Sequence, residues 1–315
     1  MQTVMSETLS PQEHSAGQLL GSFRHGKALP VALLILGIIL FGLAVFVLYL
    51  GTILPPDTNP GPVDLTTSRG TSLTVSSPHM LIYLTSGFLA VLGVVMLLIR
   101  AWQKRLRSTT FDVYEHGITE IKGSQREYTP FREIEDLYLF ASGQASFTGL
   151  ITNLAYRRNA NQAWHHAIES LGGFHKFVQL VRERHVEERL PAVMTALDAG
   201  HSVTFNYLSS GKVWSKRMGG NFLNVTTQPL TLSRMALEVE GQTIPMTSLR
   251  DIDLNAWTEN VVIKDASGNT VLSTTGTGIF SHDVFLHTLS LLLDAQRQNA
   301  MPAQESPQPG SAVPQ

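Results

Sequence analysis

Two uncharged apolar runs, Pro30–Leu50 and Met80–Ile99, dominate the polarity pattern of the chain. They hold 21 and 20 residues. A helix rises about 1.5 Å per residue, so each run covers the roughly 30 Å hydrocarbon core of a bilayer. Neither has a charged stripe, which excludes the amphipathic surface helix of a soluble fold. A buried core helix is one rival, but unbroken apolar runs there seldom exceed about 14 residues. A cleavable signal peptide is a rival for the first run. Its apolar region would be about 7–15 residues, ending in a small-residue cleavage site, and Tyr49-Leu50-Gly51-Thr52-Ile53-Leu54 offers none. The pattern predicts transmembrane helices over 30–50 and 80–100. Ser86, Ala90 and Gly93 share one face of the second, and small residues there permit close backbone approach. That face suits packing against the first helix or association of two copies.

Around these runs the pattern changes character. Residues 1–29 form a polar arm without apolar periodicity, read as a disordered cytoplasmic segment. Residues 51–79 are rich in Pro, Thr, Ser and Gly and read as an extracytoplasmic loop, with a short extended piece at Ser72–Val75. From Ser108 onward, short alternating segments punctuated by turns predict an antiparallel meander. Its strands are expected at Thr109–Tyr114, Ile118–Lys122, from Tyr128, Ile134–Phe140, Gly149–Tyr156 and Ala163–Ser170. Phe174, Phe177, Val178 and Val181 then recur at helical spacing. Pro191 is expected to open a further helix that Gly200 ends. The pattern restarts at His201–Leu208 and runs through Gln228–Leu232, Ala236–Val239, Gln242–Met246, Ile252–Ala256, Val261–Lys264 and Val271–Thr275. Ser281 is expected to cap a last helix whose apolar face is Phe285, Leu289, Leu292 and Leu293. This organisation predicts one domain over 108–190, a second over 191–296, and a disordered Pro- and Gln-rich tail over 297–315.

The two halves repeat each other. Gly117-Ile118-Thr119-Glu120-Ile121-Lys122-Gly123, then Tyr128-Thr129-Pro130-Phe131, Ile134 and Leu137, matches Ala236-Leu237-Glu238-Val239-Glu240-Gly241, then Ile244-Pro245-Met246, Leu249 and Ile252. Together with the phrase running from Tyr114 through Gly117-Ile118 to Pro130-Phe131 and Ile134, this resembles the bacterial pleckstrin-homology-like domain. The layout of two spans followed by tandem copies looks like a family of bacterial membrane proteins. The resemblance covers roughly Ser108–Ala295. It implies a fold class of a two-helix transmembrane hairpin followed by α+β, with tandem antiparallel-sheet domains each closed by a C-terminal helix. The insertion Ser210–Thr227 departs from the compact pattern. The matched positions are turn and core residues, and the fold hosts lipid, peptide and self-association functions alike.

Charge sets the orientation. Arg24 and Lys27 precede the first run, Arg100, Lys104, Arg105 and Arg107 follow the second, and the loop holds only Arg69. Positive residues stay cytoplasmic, which places both termini inside and the chain in a bacterial inner membrane. Charged residues make up 15% of the chain, against roughly 25% in soluble proteins, a deficit that the apolar runs explain. The net charge of −2 gives no electrostatic footprint for nucleic acid. The absence of cysteine removes disulfides, thiolate metal sites and thiol nucleophiles.

Candidate chemistry is sparse. His165-His166 are adjacent and so face opposite ways on a strand, while His282 and His287 miss the i,i+4 spacing of paired helical ligands. Gly276-Thr277-Gly278 lacks the rest of a dinucleotide fingerprint and reads as a turn. Glu133, Glu135 and Asp136 read as a solvated face. The mixed charges Arg182, Glu183, Arg184, Glu187, Glu188 and Arg189 read as a solvated helix face or a partner surface, with Arg184 and Glu188 attracting at i,i+4. The expectation is a non-enzymatic binding or scaffold protein without a cofactor or metal, tethered to the membrane and contacting a protein partner. An enzyme with a pocket invisible in sequence is the alternative. Arg100, Lys104, Arg105 and Arg107 are the candidate contacts to anionic lipid headgroups.

Overall fold

A computed structural model of the chain describes residues 16–53, 63–66, 70, 72–75, 77–142, 150–209, 223–255 and 260–300. In chain order the elements are β1 (Leu19–Arg24), α1 (Ala28–Ile53), β2 (Val63–Thr66), β3 (Ser72–Val75), α2 (Pro78–Leu106), β4 (Thr109–Tyr114), β5 (Gly117–Lys122), β6 (Gln125–Pro130), β7 (Asp136–Phe140), β8 (Asn153–Arg157), β9 (His165–Ile168) and α3 (Phe174–Asp198). The second half adds β10 (Val203–Tyr207), β11 (Gln228–Leu232), β12 (Ala236–Val239), β13 (Gln242–Pro245), β14 (Leu249–Asn255), β15 (Asn260–Asp265), β16 (Thr270–Thr275) and α4 (His282–Ala300). Of the expected arm over 1–29, tail over 297–315 and insertion over 210–227, residues 1–15, 301–315 and 210–222 lie outside the described residues, and 297–300 belong to α4 and not to the tail. The chain divides into two compact units, Arg24–Thr110 and the segments on either side of it.

The Arg24–Thr110 unit is a helical hairpin. Both helices are long and apolar enough to cross a membrane, and only 11% of the most apolar window of each is buried. Helices of a soluble core would hide far more. The two helices pack antiparallel. Gly51 meets Ile82, Ser86 Oγ donates to Ala44 O at 2.9 Å, Gly93 lies against the Phe41 ring, and Gly37 lies against Leu97. Ser86 and Gly93 of α2 thus face α1, where a Cβ on Gly93 would meet Phe41 at 3.0 Å. Ser77 starts α2 by accepting from Met80 N at 3.2 Å. The extended piece at Ser72–Val75 is β3, paired antiparallel with β2.

The other unit contains the same arrangement twice. A four-stranded sheet β1-β4-β5-β6 is followed by a 3₁₀ turn at Phe131–Glu133, a three-stranded sheet β7-β8-β9 and α3. The second copy is the sheet β10-β11-β12-β13, a 3₁₀ turn at Met246–Ser248, the sheet β14-β15-β16 and α4. Local hydrogen bonds repeat too. Phe131 N donates to His116 O at 2.9 Å and Met246 N to Met235 O at 2.8 Å, each just after a proline that ends a strand. Phe177 N donates to Gly173 O at 2.9 Å and Phe285 N to Ser281 O at 3.0 Å. Gly173 and Ser281, the residues before the two helices, both have positive φ, +75° and +52°. One core gathers Phe111, Ile118, Phe131, Leu154, Tyr156 and Phe177, and the other Phe205, Leu230, Leu237, Ile263, Phe285 and Leu289. A third cluster of Tyr138, Phe140, Ala155, Leu208 and Phe280 joins the two copies.

Three expectations are corrected. The arm 1–29 was expected to be disordered, yet Leu19–Arg24 is strand β1, with Phe23 buried edge-on against Phe177. Phe23 matches Phe205, which meets Phe285 in the same way. The ring centroids are 5.2 and 5.3 Å apart at 66° and 69°. The helical hairpin is therefore inserted between the first and second strands of the first copy, the connection that holds residues 208–227 in the second. Pro191 does not open a new helix. It sits inside the continuous α3, so the expected boundary at 190–191 falls within one helix. An interior proline forfeits a backbone hydrogen bond, and the reason α3 persists is packing at both ends. Phe174, Phe177, Val178 and Val181 enter the first core, and Val193 and Leu197 the second. Asp136 does not belong to a solvated face. It is 1% exposed because Arg157 Nε (2.6 Å) and Asn206 Nδ2 (2.8 Å) donate to its two oxygens.

Candidate functional site

The hairpin concentrates its positive charge at one end. Arg100 Nε donates to Pro30 O at 3.2 Å, which fixes the C-terminal part of α2 beside the start of α1. Lys104 and Arg105 lie in the last turn of α2, Arg107 is its C-cap, and Arg24 and Lys27 stand just before α1. Arg24, Lys27, Lys104 and Arg105 are exposed, and Arg100 and Arg107 half-buried. The structure therefore unites the four residues singled out in the sequence with two more. The two residues before α1 were legible as a topology signal but not as part of the same cluster. Between positions 24 and 110 the only acidic residues are Asp57 and Asp64, both in the segment joining the two helices. Trp102, 62% exposed, lies on α2 within this basic end.

The sheet-and-helix unit offers other polar groupings. Glu120 on β5 is 4% exposed and takes a 2.6 Å contact from His165 Nδ1 on β9. Lys122 Nζ is 2.9 Å from its other oxygen, an ion-pair approach that is poorly directed for a hydrogen bond. Burial opposes ionisation of Glu120, but pairing with His165 and Lys122 outweighs it and holds the carboxyl below its ordinary range. Tyr156 stacks on His165 with centroids 4.8 Å apart, and burial pushes its phenol well above the usual value. His166 points the other way, to Asn153 Oδ1 at 2.9 Å. These contacts join the two sheets of the first copy and present no aligned nucleophile and base.

Between α3 and α4 lies a cleft of about 440 Å³. Arg182 donates from Nε and Nη2 to both oxygens of Asp283, each at 2.7 Å. That fork is a strong, oriented pairing. Burial resists ionisation of Asp283, but the Arg182 hydrogen bonds prevail and keep its carboxyl below the ordinary range. His287 Nδ1 lies 2.7 Å from Asp283 O and donates there. Arg184 pairs with Glu187 rather than Glu188, and Glu188 meets His116 instead. The mixed charges of α3 are thus largely spent on contacts within the chain. Among the described residues, no three His, Cys, Asp or Glu side chains gather as a metal ion would require. Gly276–Gly278 is a 3₁₀ turn before α4, with Gly278 O accepting from Leu208 N at 2.8 Å. No family model and no curated protein matches the chain.

Proposed function

We propose that the chain is a non-enzymatic binding or scaffold protein, held in the bacterial inner membrane by its helical hairpin and presenting tandem pleckstrin-homology-like domains at the cytoplasmic face to a protein partner. The observation that carries this reading is the duplicated seven-strand-and-helix arrangement, with the hairpin set into the first connection of the first copy. An inserted hairpin tethers one domain through two strands instead of one flexible linker. Among the described residues, the polar clusters set out above pair internally, as structural contacts do. The positive-inside rule supports the cytoplasmic assignment of both termini. Crosslinking in intact cells followed by purification of the full chain in detergent tests the reading. A partner recovered in fixed stoichiometry, and lost when exposed residues of the tandem domains are changed, supports it. Turnover of a small molecule by the purified chain overturns it.

A further inference from the structure

We propose that the basic end of the hairpin is a binding surface for anionic phospholipid headgroups, formed jointly by both helices. It rests on the membrane-spanning reading above. The first ground is juxtaposition. The Arg100–Pro30 hydrogen bond brings Arg24 and Lys27 to the same end of the hairpin as Arg100, Lys104, Arg105 and Arg107. Six basic residues next to a span fall within the range, roughly four to eight, at which anionic lipid is attracted.

The second ground is the contrast with most arginines of the sheet-and-helix unit, where Arg132 and Arg189 are exceptions without an acidic partner within ion-pair distance among the described residues. In the sheet-and-helix unit, Arg157 pairs with Asp136, Arg158 with Glu133, Arg182 with Asp283, Arg184 with Glu187 and Arg234 with Asp198. Among the described residues, none of the six basic residues of the hairpin has an acidic partner within ion-pair distance, and no acidic residue follows Asp64 before position 110. Orientation alone would be served by a bias against the loop, where Arg69 is the single basic residue. The occupant is set by place and charge. A helix that leaves the hydrocarbon core brings its flanking side chains to headgroup depth, where lipid phosphates are the dense anions. Trp102 marks that depth, as interfacial aromatic residues do.

Reconstitution of the full chain tests this. Bilayers of phosphatidylcholine receive equal fractions of either brominated phosphatidylglycerol or brominated phosphatidylcholine, and quenching of Trp102 is measured against a Trp102→Phe control. Phosphatidylglycerol is expected to quench several-fold more effectively at low salt, with the two lipids converging near 1 M salt, where the Debye length is about 3 Å. K104Q/R105Q and R24Q/K27Q should each lose much of the preference, while K104R and R105K keep it. Equal quenching at low salt overturns the lipid surface alone. Absence of quenching by either lipid overturns the membrane-spanning reading and the surface with it. The salt series uses the unaltered chain, so the test stands even where a substitution disturbs insertion.

Discussion

Leu137 and Ser281, 144 residues apart, hold each other through two hydrogen bonds. Leu137 N donates to Ser281 Oγ at 3.0 Å, and Ser281 N donates to Leu137 O at 2.7 Å. Ser281 Oγ also donates to Glu135 O at 2.8 Å. The hydroxyl therefore serves strand β7 of the first copy and not the first turn of its own helix. Its backbone sits at φ +52°, where the first copy uses Gly173. A serine is retained in a glycine-like conformation by the contacts that it alone can make.

Ser281→Ala should be costly. It strips the buried Leu137 N–H and Glu135 carbonyl of a partner while keeping the unfavourable φ. The expected loss is about 2–3 kcal/mol. Ser281→Gly should cost less, because glycine accepts positive φ freely. Urea unfolding of the full chain in detergent, followed by tryptophan fluorescence, gives the order. An alanine variant as stable as the parent would contradict the role given to the hydroxyl.

Asp136 makes a second, electrostatic connection between the copies. Replacing it with alanine leaves Arg157 part-buried beside Asn206 without its counter-charge, and removal of one partner of a buried pair costs about 3–5 kcal/mol. Asp136→Asn should be milder, since it keeps an acceptor for one donor. Arg157 also lies 4.2 Å above the Trp164 ring, so the fluorescence of that tryptophan should shift in D136A. Unchanged stability and spectrum together would show the pair to be dispensable.

The hairpin was legible because each of its helices is a long unbroken apolar run, and length and composition of that kind can be read without any tertiary context. Strands β11 and β12 were legible at their observed limits, since alternation sits between clear turns. Strand β1 was missed for a physical reason. Leu19-Leu20-Gly21-Ser22-Phe23-Arg24 is short, contains glycine, and gains its order from β4 and Phe177, which the sequence separates from it by the whole hairpin. Asp136 was misread likewise. A carboxylate is buried when distant donors compensate it, and neither Arg157 nor Asn206 is a local signal. Of the candidate site, the α2 half was visible as a charge run, whereas its union with Arg24 and Lys27 needed the Arg100–Pro30 contact.

Acid should weaken the fold through His185. This histidine is fully buried, with Nε2 3.0 Å from Ile134 O, and burial lowers its pKa to about 4. The unfolded chain takes up a proton near pH 6.5 and the folded chain does not, so this contribution is complete above about 6.5 and declines as pH falls toward 4. The loss across that window should reach roughly 3 kcal/mol. His185→Gln should reduce the slope there, leaving the shares of His166 and His282, whose pKa values burial also lowers, and the decline at lower pH that Glu120 and Asp283 produce when their depressed carboxyls protonate. Stability measured at half-unit steps from pH 7.5 to 4 distinguishes the two curves, and superimposable curves would rule His185 out.

The insertion of the hairpin into the first copy makes its sharpest demand on Phe23. If residues ahead of α1 were merely a leader, Phe23→Ala would change nothing in the sheet-and-helix unit. The structure instead buries the ring to 6% exposure in the same core as Phe111, Phe174 and Phe177. Phe→Ala in a core costs about 3–5 kcal/mol, and an edge-to-face aromatic contact is among the losses. Phe205→Ala in the second copy removes the matching contact with Phe285 and should cost a similar amount. Phe23→Leu should restore most of the loss in the first copy, because it refills the volume without the ring. Hydrogen exchange of the full chain in detergent localises the effect. F23A should raise exchange in β4–β6 and the first half of α3, and F205A in β11–β13 and α4. If F23A leaves β4–β6 as protected as in the parent, β1 is not the first strand of that sheet, and the correspondence between the copies ends at β4.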